Sequence, residues 1–153
     1  MTSHDPLVST LVSRYKFVCL EVRTPIRPRN PEPVSESASP VLLDAERLDV
    51  YRAAVQFQAF AVDVMRQANG TLRDQLDRAS ASVVLNIAEA AGRRAPKEKA
   101  HFYAIARGSA TECAAILDIA RSRGLGTAAV FHDGRILLVR IVQMLTRLDQ
   151  GVR

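Results

Sequence analysis

The chain has 153 residues, 48% hydrophobic and 24% charged, which is enough for one packed domain and tight for two. Aromatic residues make up only 5% and Trp is absent, so the apolar mass is Ala, Val, Leu and Ile, a mixture suited to close helix packing. The formal charge of +5 is uneven: residues 1–46 carry five Lys/Arg against six Asp/Glu, residues 47–153 sixteen against ten.

The positive excess therefore lies in the part expected to fold. It favours anionic partners such as nucleic acid, although a moderate Arg excess is also common on plain soluble surfaces. No run of eighteen apolar residues exists, so no membrane span is expected. The stretch Leu7–Leu20 is interrupted by Arg14 and Lys16 and lacks the apolar centre of a signal peptide. Cys19 and Cys113 fit no metal spacing and no redox motif. A reduced, cytoplasmic protein is the simplest reading.

Six of the seven prolines fall in the first forty residues, and Thr24–Pro40 is rich in Pro, Ser and Glu. Such a segment cannot bury enough apolar surface to order itself, so residues 1–43 read as a disordered tail and linker. Residues 7–22 allow a short helix or strand with nothing evident to pack on. A start codon lying further downstream would remove the tail altogether.

From residue 44 to about 150 the periodicity is helical and no alternating stretch competes with it. The first helix is expected from Asp44 to Ala68, stopped by Asn69-Gly70, both tolerant of the left-handed conformation. Thr71 is the expected N-cap of the second, which runs to Arg93. Pro96 opens the third at a position where its missing N–H costs nothing, and Gly124-Leu125-Gly126 stops it after Arg123. Thr127 caps the fourth, which runs to Asp149, with Gly134 as a kink or a break near its start. Short turns force sequential neighbours to run antiparallel, giving an all-α, up-and-down four-helix bundle.

The helix faces add detail. In the first helix, Leu48, Tyr51, Val55, Val62 and Met65 form one apolar row beside a second of Val50, Ala54, Phe57, Ala61, Val64 and Ala68. In the fourth, Val130, Leu137, Ile141, Met144 and Leu148 lie beside Phe131, Leu138, Val142 and Leu145. Both arcs are wider than the ~100° stripe a surface helix needs. The surplus fits a wide core or a subunit interface, and the interface reading is the one favoured.

The second helix shows an apolar face of Leu76, Ala79, Val83, Ile87 and Ala90. Beside it Ser82, Asn86, Glu89 and Arg93 form a polar seam, which Ser109 and Glu112 extend onto the third helix. Such edge groups need hydrogen-bond partners and are expected to fix the register of a neighbouring helix. A ligand or catalytic role is the minor alternative, a polar subunit contact another. Phe102, Ile105, Ser109, Cys113, Ile116 and Ala120 read as the core stripe of the third helix, with Gly108 marking close approach of another backbone.

These residues carry a resemblance. Leu48-Asp49-Val50-Tyr51, the run from Ser82 to Glu89 containing Asn86-Ile87-Ala88-Glu89 with Gly92-Arg93 after it, and Phe102 followed by the run Ile105–Glu112 containing Gly108-Ser109 stand in the order and spacing of a bacterial four-helix-bundle family. The chain resembles the 23S rRNA intervening-sequence proteins over about residues 47–149, and is similar to the accessory protein of diversity-generating retroelements. It departs in having Ala90 where Gly is usual, Val84 where Pro is frequent and Cys113 where Leu is usual. The resemblance implies a homopentamer, and its retroelement branch implies nucleic-acid binding and a reverse-transcriptase partner.

Catalytic inventory is thin. His4, His101 and His132 lack a second His or Cys at ligand spacing, and no Gly-rich phosphate loop follows a strand. Glu89 and Glu112 could be imagined as a di-carboxylate site, but ferritin-like metal sites need Glu-x-x-His and the chain has none. No enzymatic activity, metal, cofactor or small-molecule substrate is expected. The candidate nucleic-acid contacts are Arg93, Arg94, Lys97 and Lys99 around one turn, Arg121 and Arg123 at the opposite end, and Arg135 and Arg140 on the fourth helix. The helix dipole explains part of the cations at helix C-termini. With no aromatic platform in view, backbone contacts without base readout are expected. The alternative is a purely protein-binding or structural oligomer.

Overall fold

A computed structural model describes residues 41–64 and 70–152, apart from the side chain of Asp63. Residues 1–40 of the tail read over 1–43 and the helix stop at Asn69 lie outside the described residues, as do Met65 and Ala68. Leu43–Arg153 forms one compact unit. A 3-10 turn, Ala45–Arg47, precedes four helices: α1 Asp49–Val64, α2 Gly70–Gly92, α3 Pro96–Ser122 and α4 Ala128–Gly151. Each helix packs on its neighbours in sequence, and α4 closes the square against α1. The up-and-down four-helix bundle expected from periodicity is the observed fold, with no strand among the described residues.

Helix ends follow local chemistry, with two corrections. α1 begins at Asp49 and not at Asp44, because Leu48 is extended (φ −84°, ψ 127°) and separates the 3-10 turn from the helix. The Asp44 side chain makes no capping bond; Glu46 holds the segment instead, its carboxylate accepting from the Leu43 N–H at 2.7 Å. Thr71 is not an N-cap, since Gly70 is already the first residue of α2. The end of α3 is as expected. Gly124 has φ +71°, the Leu125 N–H donates to the Ala120 carbonyl at 3.0 Å and the Gly124 N–H to the Arg121 carbonyl at 3.0 Å, a Schellman closure. Thr127 caps α4 through its hydroxyl, which accepts from the Val130 N–H at 3.4 Å.

The core is a column of Phe57, Phe60, Leu76, Val83, Ile87, Cys113, Ile116, Leu138, Ile141 and Leu145 packed around small alanines. On α1 the row containing Val50, Ala54, Phe57 and Ala61 faces inward, while Val55 and Val62 of the other row stay exposed. On α2 all five residues of the expected apolar face are buried. Of the expected α3 stripe Cys113, Ile116 and Ala120 are buried, but its first half is turned: Tyr103, Ala106 and Ala110 are buried there, whereas Ile105 is exposed. The alanines admit close approach along the centre of the helix, and their small size hides that centre behind the bulk of Phe102 and Ile105.

Two glycines exchange roles. Gly134 does not kink or break α4, which is continuous through it; it is buried and faces the Phe60 ring. Gly108 faces no other backbone of the bundle, because a Cβ there would meet nothing within 4 Å.

Candidate functional site

The polar seam sits at the α2–α3 contact. The hydroxyls of Ser82 and Ser109 hydrogen-bond across it at 2.9 Å, the one bond of this set that joins the two helices. The Asn86 amide turns back along α2, donating to the Ser82 carbonyl at 2.8 Å and to the Ser82 hydroxyl at 3.1 Å. Glu89 pairs with Arg93, the first residue past the end of α2, and the Arg93 guanidinium lies 5.2 Å from the centroid of the Phe102 ring on α3. Glu112 is exposed and forms no ion pair among the described residues. The arrangement joins the two sides through one hydroxyl pair and one cation–π contact, with the Asn86 amide and the Glu89 carboxylate engaged locally.

Polar contacts also tie α1 to α2 and α3 to α4. Gln58 of α1 donates to Asp77 of α2 at 2.9 Å, and Arg135 of α4 donates to Asp118 of α3 at 3.0 Å. Near the far end of α4, Asp149 is buried and its carboxylate lies 3.8 Å from the Arg107 guanidinium of α3. Asp149 does not stand out in the sequence as a candidate. The available signal is its position one turn beyond Leu145 in the inward row, where an acid must find a cation.

The eight candidate cations sort into two groups. Arg93 is engaged by Glu89 and Phe102, and Arg135 by Asp118. Arg94, Lys97, Lys99, Arg121, Arg123 and Arg140 enter no ion pair among the described residues. Arg94, Lys97 and Lys99 surround the α2–α3 turn, where Pro96 at the first helical position turns the chain back on itself. An open hollow of about 620 Å³ lies beside Lys97, lined also by Ala95, Pro96, Ala100 and Val152. Arg121 and Arg123 sit around the α3–α4 turn, at the other end of the bundle. There a groove of about 210 Å³ between α3 and α4 is lined by Asp118, Arg121, His132 and Arg135. The fold thus brings Arg121 and Arg135 together in this groove, while Arg140 shares a separate hollow on α4 with Arg135 and His132.

Chemically these surfaces offer cations to an anion. In the α3–α4 groove the one carboxylate, Asp118, is engaged by Arg135. Burial, with the Glu112 charge adding to it, pushes the Cys113 thiol up to about 12, so its thiolate is strongly disfavoured. Burial also raises the Tyr103 phenol. Among the described residues no three His, Cys, Asp or Glu side chains gather at metal-binding distance. No helix among them is long and apolar enough to cross a membrane.

The model of the family described as 23S rRNA-intervening sequence protein matches residues 46–147, from the 3-10 turn to the last turns of α4. A comparison with curated proteins finds no significant match.

Proposed function

The chain belongs to the 23S rRNA-intervening sequence protein family, and on that premise we propose that it works as a non-enzymatic, cytoplasmic scaffold. Copies of the bundle assemble, five being the number implied by the resemblance to pentameric bundles, and their basic helix ends contact nucleic acid, a nucleic-acid enzyme such as a reverse transcriptase, or both. The observation that carries this reading is the set of five cations, Arg94, Lys97, Lys99, Arg121 and Arg123, placed at two bundle ends with no acid engaging them among the described residues. Assembly would repeat each set and multiply a weak phosphate affinity. At the α2–α3 end the Phe102 ring is half-buried, with His101 against it and Arg93 over it, which favours contacts to the phosphate backbone over reading of bases.

The exposed aliphatic residues favour the second reading, a scaffold that binds only protein. Leu85 is 67% exposed on α2, and Val55 and Val62 stand out of α1. Fluorescence anisotropy with labelled RNA and DNA separates the two. The proposal expects binding at low salt that weakens steeply as salt rises. No change in anisotropy at low salt leaves the protein-binding scaffold.

A further inference from the structure

We infer that the outward face of α3 seats the outward face of α4 from a second copy of the chain, with Glu112 of one copy against Arg140 of the other. This deepens the scaffold reading and rests on it.

The α3 side of the contact is a stripe of exposed residues three and four apart: Ala104, Ile105, Gly108, Glu112, Ala115 and Ile119. A surface helix normally turns charge outward, and this stripe carries one charged residue over four turns. Gly108 stands at its centre. A glycine inside a helix costs about 1 kcal/mol relative to alanine, and here the bundle gives no reason for it, since a Cβ would meet nothing within 4 Å. What the missing side chain does provide is a hollow on the outside of the helix.

α4 carries the complementary relief. Ile136 is 54% exposed and Val139 47%, and both line its outer side with His132, Arg135, Arg140 and Gln143, Arg135 being paired with Asp118. Neither Glu112 nor Arg140 enters an ion pair among the described residues. The spacings agree as well, because Gly108 and Glu112 are four apart, as are Ile136 and Arg140. With the helices parallel, Ile136 seated on Gly108 sets Arg140 against Glu112. With the helices antiparallel, the same charge pair brings Ile136 level with residue 116, beside the small exposed residue Ala115. One charge pair therefore serves either direction.

The occupant is a second copy because both halves of the fit lie on one chain. The hollow and the acid are on α3, the knob and the base on α4. Unlike faces of identical chains satisfy each other only between copies. Arg140 is thereby assigned to assembly and removed from the nucleic-acid set.

Light scattering on the full chain gives the test. The wild type should have a molar mass that is a multiple of 16.8 kDa. Glu112→Arg and Arg140→Glu should each lower it, and the two together should restore it. Gly108→Leu should also lower it while the circular dichroism spectrum stays helical, because the site is open to solvent. An assembled wild type whose mass survives all single changes, or a double variant that does not recover, overturns the α3–α4 contact and leaves the scaffold standing. A monomeric wild type overturns both.

Discussion

Phe60 occupies the space that a side chain at residue 134 would need: a Cβ on Gly134 would lie 2.5 Å from Cε1 and 2.9 Å from Cζ of the ring. The Leu117 Cδ1 would be 3.1 Å away. This is how α1 and α4 close the square of helices. The Phe60 ring, packed at 6.0 Å centroid separation from Phe57, reaches over the bare backbone of α4. The two helices can therefore approach closely at this point.

Gly134→Ala should destabilise the protein, although alanine is the better helix former. The propensity gain is about 1 kcal/mol, and forcing a methyl against a buried ring costs roughly 1–3 kcal/mol. Urea denaturation is the measurement, and a midpoint shifted to lower denaturant is the expected outcome. An unchanged or raised midpoint would show that Phe60 can turn aside at no cost.

The Ser82–Ser109 bond should show as a coupling between the two sites. Each single change to alanine is expected to cost about 1 kcal/mol. The double variant should then lose less than the sum of the singles, by roughly 0.5–1.5 kcal/mol. Simple additivity in denaturation would mean that the two hydroxyls act independently and that the helix register is held elsewhere.

Cys113 should be inert towards thiol reagents in the native protein at pH 8 and should react at once when the chain is unfolded. Its thiol is raised from an ordinary value of 9.0 to about 12 by burial. The sign of the pH effect follows. Below pH 9 both states keep the proton, and the stabilising contribution is complete. Between about 9 and 12 only the unfolded state releases the proton, so stability falls as pH rises. Tyr103 acts in the same direction. Thermal melting of wild type and Cys113→Ala against pH should show a steeper alkaline loss in the wild type.

Charge reversal should separate the free cations from the engaged ones. Lys97→Glu and Arg121→Glu are expected to weaken RNA binding and to lower the slope of log affinity against log salt, by about one for each phosphate that is no longer neutralised. Arg93→Glu and Arg135→Glu should change affinity less, because Glu89 and Phe102 hold the first and Asp118 the second. Equal weakening at all four positions in anisotropy titrations would show that these ion pairs open on binding.

Sequence alone determined the class of the fold and most of its punctuation. Helical periodicity is local, as are the stops at Gly124 and the start at Pro96, so four antiparallel helices could be read without knowing what they touch. The apolar face of α2 was legible for the same reason: its buried positions are regularly spaced and most of them are large. The tertiary structure alone decided how α3 is turned. On α3 the inward line runs through Ala106 and Ala110, which carry little hydrophobic signal, so Ile105 looked like core and is exposed. Gly108 and Gly134 are both helix-interior glycines in sequence. Only the rotation of α4 against α1 makes one of them necessary to the bundle, and leaves the other facing outward. The cations were equally alike until the fold laid Arg93 over Phe102 and Arg135 beside Asp118, because such pairings join residues on different elements and no local pattern encodes them.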